Sequence, residues 1–160
     1  MIEMRVAGIA LDAVNRSPIV LLKDGKERRA LPIYINQDQA KAIIGALENQ
    51  KPPRPLTHDL MVNFLETWNI TLEKVIIHSI QDGTFYAILS VRQGEVKKEI
   101  DARPSDAIAL ALRTRAPILV EESVIDNAKT VDFGSERLDN DKVQKWLESL
   151  DPAELPKYKM

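Results

Sequence analysis

The chain has 160 residues, 44% hydrophobic, 29% charged and 5% aromatic, proportions that suit an ordinary globular domain rather than a disordered, fibrous or membrane chain. Its formal charge is −2, with 16 basic against 14 acidic residues up to Val120 and 6 against 10 beyond it, so no bulk positive charge advertises nucleic-acid binding. The absence of cysteine excludes a disulfide framework, a thiolate nucleophile and a cysteine-based zinc or iron–sulfur site, and two histidines alone cannot build a multi-histidine metal centre.

No apolar run approaches the roughly 20 residues of a membrane-spanning helix, and Met1 to Arg5 lacks a secretory layout, so the expectation is a cytoplasmic protein with no membrane partner. Three strands are predicted first, at about 3–14, 18–23 and 27–35. Asp24-Gly25 marks the hairpin between the last two, because both residues accept the positive φ of a tight turn. From Gln37 to Asn49, Ala40, Ile43, Ile44 and Leu47 recur at helical spacing.

Pro52, Pro53 and Pro55 stop that helix and hold 51–56 extended. A second helix is predicted from Thr57, with Thr57 as its N-cap, Asp59 in its first turn, and Leu60, Phe64, Leu65 and Trp68 on its apolar side. Three more strands follow, at 72–80, 84–91 and 95–101, separated by turns at Gln81-Asp82-Gly83 and Arg92-Gln93-Gly94. Pro104 to Thr114 is apolar on nearly every side and reads as a buried helix. Pro117 to Val120 reads as a short buried strand, Glu121 to Asn127 as a short helix, and Lys142 to Leu150 as a short amphipathic helix in a loose end.

Three strands and a helix thus occur twice. At an offset of 65, Ile35 falls on Ile100, Asn36 on Asp101, Ala42 on Ala107, Ile43 on Ile108 and Leu47 on Leu112, which reads as an internal duplication against the competing explanation of chance apolar matches. The fold class is therefore α+β: two β-β-β-α units forming a compact mixed or mostly antiparallel sheet with helices. The main domain is set at 1–135 and an acidic helical tail at 136–160.

There is no GxxxxGK[ST] loop, GxGxxG turn, GxSxG elbow or HExxH helix, so common nucleotide-binding and hydrolase routes lose support. Two dense polar segments remain at helix starts, Lys51 to Asp59 and Asp101 to Asp106. Arg54 or Arg103 could grip a phosphate there, beside the anion-favouring N–H groups of a helix start. Asp59, Asp101 and Asp106 could collect Mg²⁺ or Mn²⁺, and His58 is the one proton carrier of neutral pH in either segment. Together these are the parts of a phosphodiester-cleavage site, provided the segments meet within roughly 12 Å. On the structural reading, Thr57 and Ser105 are plain caps, Asp59 and Asp106 complement helix dipoles, and Arg103 pairs with Asp101 or Asp106. His78 reads as a packed or edge residue, Lys97-Lys98 and Arg28-Arg29 as solvated faces, and one of Phe85 and Tyr86 as core.

Arg54-Pro55-Leu56-Thr57-His58-Asp59-Leu60, Asp82-Gly83-Thr84-Phe85-Tyr86-Ala87 and Asp101-Ala102-Arg103-Pro104-Ser105-Asp106-Ala107-Ile108-Ala109-Leu110-Ala111 resemble the hallmark stretches of the bifunctional nuclease family. Leu31 to Ile35 and Ala116-Pro117-Ile118 fit as well, so the resemblance spans about residues 3–127. It implies a compact, often dimeric α+β domain in proteins described as cutting both RNA and DNA. Its motifs place Arg54, Thr57, His58 and Asp59 in one cluster and Asp101, Arg103, Ser105 and Asp106 in the other. On chemical grounds His58, Asp101, Arg103 and Asp106 are assigned to catalysis, Arg54, Thr57 and Ser105 to substrate binding, and Asp59, Asp101 and Asp106 to metal. Asn36-Gln37-Asp38-Gln39 departs from the Gly and Glu common there in the family, and the tail is too short for the second interaction module that some relatives append. The rival expectation is a non-catalytic module binding an anion or a protein.

Overall fold

The structure is a computed structural model of the chain and describes residues 1–26, 28–128 and the backbone of 131–132. The expected tail at 136–160, with its helix over Lys142 to Leu150, lies outside the described residues. In chain order the elements are β1 (Ile2–Leu11), β2 (Pro18–Asp24), β3 (Arg29–Tyr34), α1 (Gln37–Leu47), α2 (Thr57–Thr67), β4 (Thr71–Gln81), β5 (Thr84–Gln93), β6 (Val96–Ala102), α3 (Pro104–Thr114), β7 (Ile118–Val120), α4 (Glu122–Asn127) and β8 (Val131–Asp132).

All strands join one mixed sheet in the order β6-β5-β4-β7-β1-β2-β3-β8, in which β8 is a two-residue addition outside β3 that hydropathy patterning did not foresee. Each half is an antiparallel meander, because short turns can connect only neighbouring antiparallel strands. Asp82 and Gly83 both adopt positive φ, 50° and 76°, the backbone that a two-residue hairpin needs to match strand twist. In the other meander Asp24 accepts from the backbone N–H groups of Arg28 and Arg29 and from Arg29 Nε, so Arg29 secures the hairpin. The three-residue β7 then joins the meanders, parallel to β4 and antiparallel to β1. The order of three strands and a helix does recur, but α2 stands between the repeats and β7 is common to both, so the halves are unequal.

β1 ends at Leu11 rather than 14 because Asp12 turns the chain: its carboxylate accepts from Val14 N–H and from the Tyr34 hydroxyl at 2.8 and 2.9 Å. Burial and that hydrogen bond to an anion both push the Tyr34 hydroxyl's pKa upward, so it stays a donor.

The core lies between the sheet and its helices. Val20, Leu22, Leu31 and Ile33 alternate into it from one meander, and Val75, Ile77, Phe85, Ala87, Leu89 and Val91 from the other. Helix α3 is buried from Pro104 through Ala111 except at Asp106, as its apolar composition predicted, and both α1 and α2 pack against it. Asn36 and Gln39 form a reciprocal capping box at α1, each bond 2.8 Å, so a segment that departs from the family pattern does the work of starting a helix.

Candidate active site at two helix starts

Helix α2 begins at Thr57 as expected, but its N-cap is Leu56, whose side chain has no oxygen to offer. The Asp59 carboxylate instead reaches back to Leu56 N–H at 3.0 Å. This corrects the assignment of Thr57 as cap; Thr57 is the exposed first residue of the helix. Helix α3 similarly starts without a side-chain cap, with Arg103 at the cap position and Pro104, whose missing N–H costs nothing there, at the first helical position. Ser105 is therefore not a cap either; it is 2% exposed and, among the described residues, its hydroxyl has no hydrogen-bond partner.

These two helix starts meet. His58 Nε2 lies 2.9 Å from Asp106 Oδ1, and Arg103 Nε donates to Asp106 Oδ2 at 2.8 Å, so one carboxylate bridges the two polar segments within a single chain. Burial alone would raise the Asp106 pKa; the hydrogen bonds and charges of Arg103 and His58 outweigh it and hold the carboxyl below the ordinary value. An ionised Asp106 only accepts, so His58 Nε2 carries the proton toward it and Nδ1 is the nitrogen left to take another. Arg103 responds in kind, its guanidinium pKa raised by the hydrogen bond to Asp106. The His58 side chain is 16% exposed and that of Arg103 55%, so the imidazole is held while the guanidinium has its remaining N–H groups at the surface.

Asp59 points to a different partner. Its Oδ1 accepts from Arg113 Nε at 2.9 Å, and Arg113 Nη1 donates to the carbonyls of Ala42 and Ala109 at 3.1 and 2.9 Å. One arginine thereby ties α1, α2 and α3 together. Its hydrogen bond to Asp59, opposed by burial and aided by Leu56 N–H, lowers the Asp59 pKa. Patterning had not singled out Arg113; the available signal was a lone basic residue in the last turn of an otherwise buried helix.

Arg54 sits on the exposed turn before α2 and Asp101 near the end of β6, also exposed, and neither makes an ion pair among the described residues. Arg103 thus pairs with Asp106 and not with Asp101. Phe85 is core and Tyr86 is exposed, with the His78 ring 6.5 Å from that of Tyr86 at a bulge in β4.

The three carboxylates assigned to metal are not gathered. Among the described residues no group of three or more His, Asp or Glu side chains stands close enough to hold an ion, and every carboxylate oxygen of Asp59 and Asp106 already accepts a hydrogen bond. These residues do not fit a preformed all-protein metal centre. What the arrangement can do is fix an imidazole by a carboxylate next to an arginine, the means to move a proton beside a bound anion.

Comparison with known proteins agrees with the motifs. The bifunctional nuclease domain family matches residues 20–132. Two uncharacterized proteins from strains of Mycobacterium tuberculosis are 39% identical over 165 residues, covering 98% of this chain and 98% of theirs. Bifunctional nuclease 1 of Oryza sativa subsp. indica is 25% identical over 126 residues, covering 77% of this chain but 38% of that protein. Bifunctional nuclease 2 of Oryza sativa subsp. japonica is 27% identical over 109 residues, 66% of this chain and 33% of that protein.

Proposed function

Because the chain belongs to the bifunctional nuclease domain family, we propose that it hydrolyses phosphodiester bonds of RNA and DNA with low sequence specificity. The observation that carries this reading is the His58–Asp106–Arg103 chain, in which His58 joins the two motifs through Asp106 at 2.9 Å and Arg103 holds the same carboxylate at 2.8 Å. Arg103 pairs with phosphate oxygens through the N–H groups that Asp106 leaves over. His58 Nδ1 takes a proton from water as its oxygen bonds to phosphorus, and the sugar oxygen leaves with a proton from solvent. Water rather than the 2′-hydroxyl is the nucleophile, since DNA has none. Asp106 orients the imidazole and offsets its positive charge. Arg54 on the turn before α2, Thr57 at its first residue and Asp101 near the end of β6, all exposed, extend the polar surface for the strand, and Ser105 is buried beside Asp106. Mg²⁺ or Mn²⁺ belongs to the proposal only as an ion arriving with the phosphate.

The partner proposed besides nucleic acid is a second copy of the chain. Helix α2 has no buried residue, and Phe64 on it and Trp68 at its C-cap are 60% and 62% exposed. Val96 and Ile100 of the edge strand β6 are exposed as well, and Gln93, the last residue of β5, donates to the Trp68 carbonyl, which ties the end of α2 to the β5–β6 turn. Among the described residues no helix is long and apolar enough to cross a membrane, and a cysteine-free chain suits the cytoplasm, where the proposal places it.

The test is cleavage of single-stranded RNA and DNA by purified protein, with chelator and with Mg²⁺ or Mn²⁺, beside folded His58→Asn and Asp106→Asn variants. Cutting by the wild type alone supports the reading. Equal cutting by all three places the activity elsewhere, and no cutting by any favours the binding-module alternative.

A further inference from the structure

Asp59 borders a cavity of about 530 Å³ that His58 does not line, bounded by α1, the proline-rich turn at 51–56, the start of α2 and Arg113. A neighbouring cavity of about 300 Å³ shares Gly45, Gln50, Lys51, Asp59 and Arg113 with it, so the two form one groove with two lobes. Neither lobe contains His58, Arg103 or Asp106.

The lining divides by chemistry. Ala42, Ile44, Pro52 and Leu56 give the larger lobe an apolar wall, while Lys41 and Lys51 stand at its rim. Among the described residues neither lysine makes an ion pair. Arg113 and Asp59 neutralise each other, which leaves Asp38 as the single acid facing the two lysines. The smaller lobe adds the amides of Asn49 and Asn63, each able to donate and accept. An apolar slot with convergent polar groups, of the size small-molecule sites have, takes a flat apolar ring system carrying an anionic end and a polar edge.

We propose that this groove binds a mononucleotide unit: base against the apolar wall, phosphate on Lys41 and Lys51, sugar and base edges toward the amides. The unit comes either from a free nucleotide or from a strand lying across Asp59 toward His58. The inference goes beyond the cleavage reading and stands without it when the source is a free nucleotide.

The experiment is calorimetric titration of the full chain with 5′-AMP and with a single-stranded DNA tetranucleotide, in metal-free buffer. Two groove variants are compared. Lys41→Glu with Lys51→Glu reverses the rim charge at exposed positions, and Gly45→Leu fills the junction of the lobes, where an added Cβ meets only Gln50 Oε1 at 3.8 Å. Lys26→Glu, a charge reversal at an exposed position in the β2–β3 turn, is the control outside the groove. Saturable binding that weakens at least about tenfold in both groove variants and is unchanged in Lys26→Glu establishes the site. Competition between the two ligands then assigns the strand as source, and independent binding assigns a free nucleotide. No saturable binding of either ligand, or equal affinity in wild type and groove variants, overturns the proposal. Binding by a wild type that cuts no nucleic acid overturns the cleavage reading alone.

Discussion

The first meander's β2 with α1 and the edge strand β6 with α2 treat their side chains in opposite ways. β2 is buried at every residue and α1 starts on a reciprocal capping box and is packed, whereas β6 is exposed at every residue but Ala102 and α2 buries none. β2 sends its side chains into the interior, which β4, β5 and α3 also fill, while β6 and α2 leave apolar and charged side chains at the surface. Core packing by β2 and the His58–Asp106–Arg103 chain at the starts of α2 and α3 thus occupy different elements. A substitution should be read by the element in which it falls.

The largest expected effect that would sharpen this contrast is on cleavage. Removing the imidazole in His58→Asn should cost about 10²–10⁴-fold in rate, as for a general base, with a melting temperature close to wild type. Unfolding of the variant would instead put His58 with the structural residues. Conversely, Leu22→Ala in fully buried β2 should destabilise by about 3 kcal/mol in denaturant melts, while Ile100→Ala in β6 should cost well under 1 kcal/mol in the monomer. Comparable losses at the two positions would break the division. Arg113→Ala should fall between, at about 2 kcal/mol, because it removes one donor from each of two helix carbonyls and from the part-exposed Asp59, and with them the tie between three helices. Phe64→Glu with Trp68→Glu should barely move the melting curve yet lower the sedimentation coefficient to that of a single chain.

The smallest effect is on pH dependence. Asp59 and Asp106 have folded pKa values below the ordinary carboxylate value, so the unfolded chain binds more protons in that range and stability rises with pH. Their contribution is complete above the unfolded value of about 4 and is lost as pH falls through the lowered folded values. Changing both to Asn should flatten the melting temperature's fall on acidification, and an unchanged slope would show that other carboxylates set it.

Much of this was legible because it is local. Asp82-Gly83 announces its hairpin through φ preferences, positive at both residues, and the apolar run of α3 announces its burial; the Asp24-Gly25 turn is where its residues predict, but neither adopts positive φ, and the Asp24 carboxylate holds it instead. The caps were misread because Thr57 and Ser105 have the side chains of caps; the turn at 51–56 and Pro104 shift the helix starts so that Leu56 and Arg103 take that place. Periodicity placed Leu60, Phe64, Leu65 and Trp68 on one apolar side without showing which part of it meets the core: Leu65 is part-buried, whereas the other three are exposed. The meeting of His58 with Asp106, 48 residues apart, and of Arg113 with Asp59, 54 apart, depends on how α2 and α3 pack, which no local pattern encodes.

The position of β7 has a kinetic consequence. Its partners β1 and β4 each belong to a finished hairpin, yet their inner edges stay open until residues 118–120 pair with both. During synthesis from the N-terminus, two half-sheets with open inner edges therefore precede the joined sheet, and the arrival of β7 sets when they combine. Refolding should show fast formation of the separate hairpins followed by a slower step that reports on Leu119, and the interval between the two is when this chain is most exposed to pairing with the wrong edge.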